Sequence, residues 1–386
     1  MHIFITGLPG SGKTTLIKKI IPYLKNPCGF FTEELRERGE RIGFEIKSLD
    51  GGEGILAHRN FKSSLKVSGY GLDLSVLEKI LKKVKQQLEN TQTVVIDEIG
   101  KMEWASSAFR EFIDELLDSG KRIIGVISEK GKDFDYIKKR GDVLVFRLDK
   151  RNFKGVFNKI ILAKDALSQE ELRHLDKKAK EILGLSENLL IENASRASLE
   201  ALDEEGISPK RVAIFSGRGN NSADSLALGR HLINRNIDIE AFLALNNKPY
   251  NKEVEFQVNI LKKILSTKKI KALNTIEEVL SLRERLSSFD LIVDGIFGIG
   301  FRPPLGAFYK ELIRLINETS RSILAIDIPS GLPADSVDVD EVAIKASFTV
   351  TFLAPKISFF LENADQYTGE VIVKDIGVSR DVLEGL

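Results

Sequence analysis

The segment Gly7-Leu8-Pro9-Gly10-Ser11-Gly12-Lys13-Thr14 fits the pattern G-x-x-x-x-G-K-[ST] at every fixed position. Glycines at these places let successive backbone N–H groups and a helix N-terminus close around phosphate oxygens. Lys13 then supplies a point charge at the β and γ phosphates, and Thr14, with Thr15 beside it in the cradle, supplies the hydroxyl that Mg²⁺ needs. The apolar run Val94-Val95-Ile96 ends in two carboxylates, Asp97 and Glu98. Asp97 is placed to hold the hydration shell of the Mg²⁺ ion. Glu98 can orient or deprotonate an attacking water; the plainer alternative is that it caps a turn or forms an ion pair. Ile99-Gly100-Lys101 turns the chain back, which brings Lys101 towards the phosphates.

A second constellation lies further on. Gly217-Arg218-Gly219-Asn220-Asn221-Ser222-Ala223-Asp224 follows a strand pattern and leads into a helix, again offering amides to phosphate. It is a poor dinucleotide fingerprint, because the third glycine is missing and no acid is placed to grip a ribose. Amide side chains beside a glycine loop can, however, coordinate a hard cation or hydrogen-bond a nicotinamide amide. Two later strand ends carry Asp294, before Gly295-Ile296-Phe297-Gly298-Ile299-Gly300, and Asp327, before Ile328-Pro329-Ser330-Gly331. Parallel strands present their carboxyl ends along one crevice, so Asn221, Asp294, Asp327 and Ser330 can meet there. Such oxygen donors suit an alkali or alkaline-earth ion and do not suit zinc. The alternative is that both aspartates only cap their turns.

These groups need a scaffold, and apolar strand patterns alternating with helical ones predict parallel sheets covered by helices in both halves. The fold class is α/β, in two domains. Expected strands run His2 to Thr6, Thr93 to Asp97, Arg122 to Ile127, Val143 to Leu148, Arg211 to Phe215, Ile237 to Leu243, Leu291 to Asp294, Ile323 to Asp327, Phe348 to Phe352 and Glu370 to Val373. Helices are expected near Lys13 to Tyr23, Asp73 to Leu88, Ser106 to Leu117, Gln169 to Leu183, Asn188 to Leu202, Asp224 to Asn234, Lys252 to Leu265 and Phe308 to Asn317. Between Gly29 and Ala57 the helical period vanishes and a β-hairpin insertion is expected. The seam falls between about Ile161 and Ser168, where Ser168 and Glu171 form a capping box, giving domains 1–163 and 168–386.

Composition narrows the classes. A formal charge of +1 denies the chain a global field for polyanions, so no nucleic-acid partner is expected. The single cysteine, Cys28, excludes an internal disulfide framework or a cysteine metal cluster and reads as a buried thiol. No signal-peptide pattern follows Met1 and no apolar run could cross a bilayer, so a cytoplasmic chain with no membrane partner is expected. Small-molecule nucleotides are the expected partners, and assembly as a homo-oligomer stays open.

Two resemblances join these observations. Gly29-Phe30-Phe31-Thr32-Glu33-Glu34-Leu35-Arg36-Glu37, Arg41-Ile42-Gly43-Phe44 and Asp97-Glu98-Ile99-Gly100-Lys101-Met102-Glu103 resemble the small nucleoside-triphosphatase family whose human member is the cancer-related nucleoside-triphosphatase. The resemblance covers about residues 1 to 160. It implies a RecA-like P-loop domain that hydrolyses ATP, GTP and other nucleoside triphosphates with Mg²⁺. A P-loop kinase acting on a small acceptor would share the same cradle. The second set, Leu172-Arg173-His174-Leu175-Asp176, Leu190-Ile191-Glu192-Asn193-Ala194, Gly219 to Asp224, Val293 to Gly300 and Asp327 to Gly331, is similar to NAD(P)H-hydrate epimerases. It implies a Rossmann-like three-layer α/β/α domain that interconverts the S and R forms of hydrated NADH or NADPH.

Carried over by position, Asn221, Asp294 and Ser330 would bind K⁺. Asn220, Asn221, Ser222, Ala223, Asp224, the loop Gly298-Ile299-Gly300 and Asp327 would contact the hydrate, with Asp327 as acid/base. The family pattern Gly-Asn-Asn-Gly-Gly-Asp-Gly departs here, since Ser222, Ala223 and Ser225 stand at its three later glycines. A Cβ at those positions could block phosphate or forbid a positive φ, which leaves a non-catalytic dinucleotide sensor as the alternative. The resemblance covers about residues 168 to 384, and with the chain ending soon after Ile376-Gly377 no companion dehydratase is expected in it.

Overall fold

A computed structural model describes residues 1–319, 321–378 and 382; the end of the expected second domain, 379–381 and 383–386, lies outside the described residues. The chain divides into two compact units, Met1–Lys164 and Asp165–Leu386. Among the described residues no helix is long and apolar enough to cross a membrane.

The first unit holds strands β1 (His2–Thr6), β2 (Cys28–Glu37), β3 (Glu40–Ser48), β4 (Glu53–His58), β5 (Lys66–Val67), β6 (Tyr70–Leu72), β7 (Thr93–Ile99), β8 (Arg122–Ile127) and β9 (Val143–Arg147) in one sheet. Their order is β5-β6-β4-β3-β2-β7-β8-β1-β9. From β2 to β9 the pairings are parallel, and from β2 outward through β3, β4, β6 and β5 they are antiparallel. The expected hairpin is therefore an antiparallel wing whose first strand also belongs to the parallel core. Its register sets Phe30 opposite Ile96, and Phe30 is fully buried, packed edge to face on Phe109.

The second unit is a seven-stranded, wholly parallel sheet of β10 (Arg211–Ser216), β11 (Asp238–Ala244), β12 (Ile270–Leu273), β13 (Leu291–Gly295), β14 (Ser322–Ile326), β15 (Phe348–Phe352) and β16 (Glu370–Lys374), ordered β12-β11-β10-β13-β14-β15-β16. Strand alternation explains its layers. Val212 and Ile214 point into one core with helices Gln169–Glu181, Glu187–Glu204 and Asn220–Asn234, while Ala213 and Phe215 point into another with helix Ala307–Glu318. The result is three layers, α/β/α. Strand order reverses between β10 and β13, so the crevice beyond their carboxyl ends is the switch point where ligands of such sheets bind.

Ser168 opens helix Gln169–Glu181 with the expected capping box, each partner bonding the other's backbone, an arrangement worth about 1 kcal/mol. Among the elements that went unanticipated or moved, three bear on the layers. Helix Phe153–Ala163 starts without a side-chain cap and is interrupted in pattern by Gly155, which hid its period. Strand β12 is a short edge strand in a lysine-rich stretch. Helix Asn220–Asn234 begins four residues before the expected Asp224, with Gly219 as its N-cap.

Two glycines in this sheet separate steric from conformational demand. Gly29, at φ 128°, would place a Cβ 1.9 Å from the carbonyl oxygen of Val95, whereas Gly39, at φ 87°, would meet nothing within 4 Å. Gly29→Ala is expected to cost more than about 3 kcal/mol and Gly39→Ala about 1 kcal/mol. Urea unfolding of both variants measures the difference.

Candidate functional sites

In the first unit β1 delivers the chain into a loop where Gly7, Gly10 and Gly12 adopt φ of 152°, 75° and 96°. At Gly7 a Cβ would lie 2.3 Å from the carbonyl oxygen of Leu148, so only glycine fits. Helix Lys13–Ile20 starts from Gly12 with no side-chain cap, leaving its first N–H groups aimed at the loop's concavity. The Lys13 ammonium donates to the carbonyl oxygens of Gly7 (3.0 Å) and Leu8 (3.2 Å), bracing the loop. Thr14 is partly buried and Thr15 exposed on the same turn; Leu8 and Pro9 form the exposed lip, while Ser11 is buried with a hydroxyl that has no partner among the described residues.

Asp97, at the end of β7, is 1% exposed, and its Oδ2 has no hydrogen-bond partner among the described residues. Burial pushes its carboxyl up to about 7, countered by a hydrogen bond with Thr14 and raised further by Glu98. The backbone oxygen of Asp97 accepts from the Thr32 hydroxyl at 3.0 Å, which ties the strand end to β2. Burial also raises the Glu98 carboxyl, and Lys13 opposes that shift. Sequence reasoning gave Glu103 no role, yet it is buried beside this pair. A Cβ on Gly100 would sit 3.0 Å from Glu103 Oε2 and 3.3 Å from Glu98 Oε1, so the two carboxyls share the space that Gly100 leaves open. Burial, then Glu98 and Asp97, push Glu103 up to about 8. Lys101 points elsewhere: it is exposed and lines a separate cavity that includes no P-loop residue.

In the second unit, a cavity of about 710 Å³ occupies the switch-point crevice. Asn220, Asn221, Asp224, Gly298, Ile299, Gly300 and Asp327 all line it. Asn221, Asp294 and Ser330 gather round the backbone of Phe297. Asn221 Nδ2 donates to the Phe297 oxygen (2.7 Å), the Phe297 N–H donates to Ser330 Oγ (2.9 Å), and Ser330 donates to Asp294 through Oγ (2.6 Å) and N–H (2.8 Å). Asp294 and Ser330 are fully buried, and Asn221 Oδ1 is buried with no partner among the described residues. Burial raises Asp294 to about 6 against these hydrogen bonds. Among the described residues no three His, Cys, Asp or Glu side chains are placed to hold a metal; the oxygens gathered here are those of one carboxylate, one amide, one hydroxyl and the backbone.

The serines and the alanine that depart from glycine do not face this cavity. Ser222 Oγ accepts from the Gly217 N–H (2.7 Å) and donates to the Gly295 oxygen (2.8 Å), Ser225 bonds Ser216 (2.8 Å), and Ala223 is packed in the core. All three have negative φ within a helix, so the feared obstruction does not arise, and Ser222 and Ala223 make no cavity wall. Asn220 is held by Glu187 and by Asn251, whose Nδ2 donates to it at 2.7 Å.

Lys356 is the residue that sequence reasoning missed. It is 1% exposed, and its ammonium donates to Asp327 Oδ1, to Thr351 Oγ1 (2.6 Å) and to the oxygens of Phe352 and Ala354 (both 3.4 Å). It follows β15 as Asp327 follows β14, so the strand-end rule would have found it. Asp224 also lines the cavity, and burial, then Asp327, Glu187 and Asp176, hold its carboxyl well above the usual range.

Comparisons with known proteins divide at the same place. The family described as NTPase matches residues 2–161, and that described as YjeF-related protein N-terminus matches residues 187–358. The nucleoside-triphosphatase THEP1 of Thermotoga sp. (strain RQ2) is 44% identical over 163 residues, covering 42% of this chain and 94% of the relative. The NAD(P)H-hydrate epimerase of Rhodopirellula baltica is 34% identical over 236 residues, covering 60% and 93%. The bifunctional NAD(P)H-hydrate repair enzyme Nnr of Dictyoglomus turgidum is 32% identical over 223 residues, of whose own length this chain spans 42%.

The raised carboxyls have a consequence for stability. Asp97 and Glu103 keep protons in the folded chain up to about 7 and about 8, whereas the unfolded chain releases them in the ordinary carboxylate range. The folded state thus binds more protons, and the stability of the metal-free first unit is expected to fall as pH rises through that window. Calorimetry across it, with Glu103→Gln flattening the slope, is the measurement.

Proposed function

We propose, from the premise that this chain belongs to the nucleoside-triphosphatase THEP1 family through its first unit and to the NAD(P)H-hydrate epimerase family through its second, that it carries two nucleotide-directed activities. The first is Mg²⁺-dependent hydrolysis of nucleoside 5′-triphosphates to diphosphate and phosphate. The second is K⁺-dependent epimerisation of the S and R forms of NAD(P)H hydrate. The domains are read as 1–163 and 168–386. The observation that carries both is shared: Asp97 Oδ2 and Asn221 Oδ1 are buried acceptors without donors, each at the carboxyl edge of a parallel sheet. A buried oxygen in that state costs about 1–3 kcal/mol unless a cation or ligand donor answers it.

In the first unit the oxygens of Thr14 and Asp97 fit a small divalent ion, which when bound neutralises phosphate charge. Lys13 exchanges the loop carbonyls for β and γ phosphate oxygens, and the amides after Gly12 hold the rest of the triphosphate tail. Glu98 accepts a proton from water as that water's oxygen attacks the γ phosphorus and the bond to the leaving diphosphate breaks. Glu98→Gln is expected to keep nucleotide affinity within about three-fold while lowering turnover at least about 100-fold. Lys13→Ala is expected to abolish hydrolysis. Phosphate release from ATP with no added acceptor, followed by coupled assay, checks both and separates a hydrolase from a kinase.

In the second unit, Asn221 Oδ1, Ser330 Oγ and the neighbouring Asp294 and Phe297 oxygens fit a large monovalent ion, which when bound supplies a fixed positive charge to the crevice. Asp327 gives a proton to the hydrate's hydroxyl as the ring nitrogen's lone pair breaks the C–O bond and water leaves; that water adds back to the opposite face of the carbon and returns the proton to Asp327, so the configuration inverts. Lys356 acts through Asp327 as a positioning residue, fixing one carboxylate oxygen so that the other faces the cavity. The departing serines and alanine turn inward, which leaves the cavity open to the dinucleotide, and turnover of the two epimers separates an epimerase from a sensor. Lys356→Met is expected to lower turnover by about 100-fold with hydrate affinity nearly unchanged, and Lys356→Arg to recover part of it. Proton NMR of the two epimers reads these rates; equal loss in both variants would reduce Lys356 to packing.

A further inference from the structure

Lys101 belongs to no part of the P-loop, and what surrounds it differs from the rest of the unit. A cavity of about 1030 Å³ lies among the turn after β7, the loop after β8 and strand β5, lined by Lys66, Lys101, Arg110, Lys130 and Lys132 with Asp133 as its single carboxylate. The whole chain is nearly neutral, with 57 basic and 56 acidic residues, so this is a local concentration of one sign. Other lysines of the same unit are answered by acids, as Lys47 is by Glu33 (3.0 Å), Lys85 by Glu115 (2.7 Å) and Lys138 by Asp135 (3.0 Å). The side chains of Lys66, Lys101, Lys130 and Lys132 have no ion pair or hydrogen bond among the described residues. A concave surface lined by one sign focuses its field on whatever counter-charge enters.

The walls are ordered. Trp104 packs edge to face on Phe134 at 5.4 Å, and Arg110 is pinned by a 2.6 Å bond to the Trp104 oxygen. Lys130 and Lys132 flank Gly131, where a Cβ would collide with the Phe134 ring at 2.0 Å, so that loop is folded tightly onto the aromatic wall. Four ammonium point charges with one guanidinium already engaged favour phosphate over the planar, bidentate geometry that carboxylates take from free arginine. The cavity opens at the same carboxyl edge of the sheet as Asp97 and Glu98, yet shares no lining residue with Gly7 to Thr14. We propose that it is a second anion site, distinct from the P-loop, that binds a phosphate-bearing small molecule.

Trp104 is the only tryptophan of the chain and reports on this wall alone. Full-length Lys13→Ala protein, in which the P-loop is disabled, is titrated with pyrophosphate at low ionic strength while Trp104 fluorescence is followed. A saturable change is expected, with affinity at least about ten-fold weaker when Lys66→Gln, Lys130→Gln and Lys132→Gln are added together. In a chain with Lys13 intact, the same three substitutions should leave nucleoside-triphosphate turnover within about two-fold, since none lies in the hydrolytic machinery. No saturable change, or an affinity indifferent to the three substitutions, overturns the site. Citrate binding as tightly as pyrophosphate overturns the phosphate assignment. Turnover lost in parallel with pyrophosphate binding would make the cavity part of the nucleotide site and overturn its independence.

Discussion

Oxygens buried without donors govern this chain. A parallel sheet covered on both faces has few places where a polar side chain can survive, and its carboxyl edge is one of them, because helix N-termini and loop amides converge there. Asp97 and Asn221 occupy that edge in their respective units, and each keeps one acceptor that no group among the described residues satisfies. The rest of each site follows from answering that vacancy of donors. Glycines bring backbone amides close, threonine or serine hydroxyls flank the acceptor, and a second carboxylate stands one step further out, as Glu98 and Asp327 do.

Strand and helix placement was legible wherever apolar period and length agreed. β1, β8 and β15 have the expected bounds, and Ser168 opens its helix as the capping box requires. What escaped reading was set by tertiary contact. β2 joins the parallel core by pairing with β7, a contact distant in sequence, and no local pattern distinguishes that from a free hairpin. The helix from Asn220 begins early because Gly219 suffices as its cap once the Gly217 amide is taken by Ser222. At the sites, motif residues could be named in advance, but partners that lie far apart in sequence could not. Lys356 reaches Asp327 across two strand ends, and Glu103 reaches Glu98 around a glycine.

Burial disfavours charge in both units, and what answers it differs. Around Gly100 it leaves Asp97 and Glu103 holding protons, since few cations reach them; around Asp327 it encloses Lys356, whose ammonium burial alone would neutralise, against a carboxylate and three oxygens. A buried ion pair of this kind contributes little net stability, because desolvation offsets the attraction. Its value lies in fixing a direction for Asp327 that solvent exposure would blur.

The hydroxyl of Ser222 reaches both sides of the crevice. One hydroxyl joins the amide of Gly217, just past β10, to the carbonyl of Gly295, at the end of β13, and so staples together the two lips of the crevice. With glycine there, the lips would be joined by the sheet ladder and the bond from Asn221 to the Phe297 oxygen, without this staple. With serine, the gap behaves as a fixed gauge, and accommodation of differently shaped guests shifts to the loop from Gly298 to Gly300.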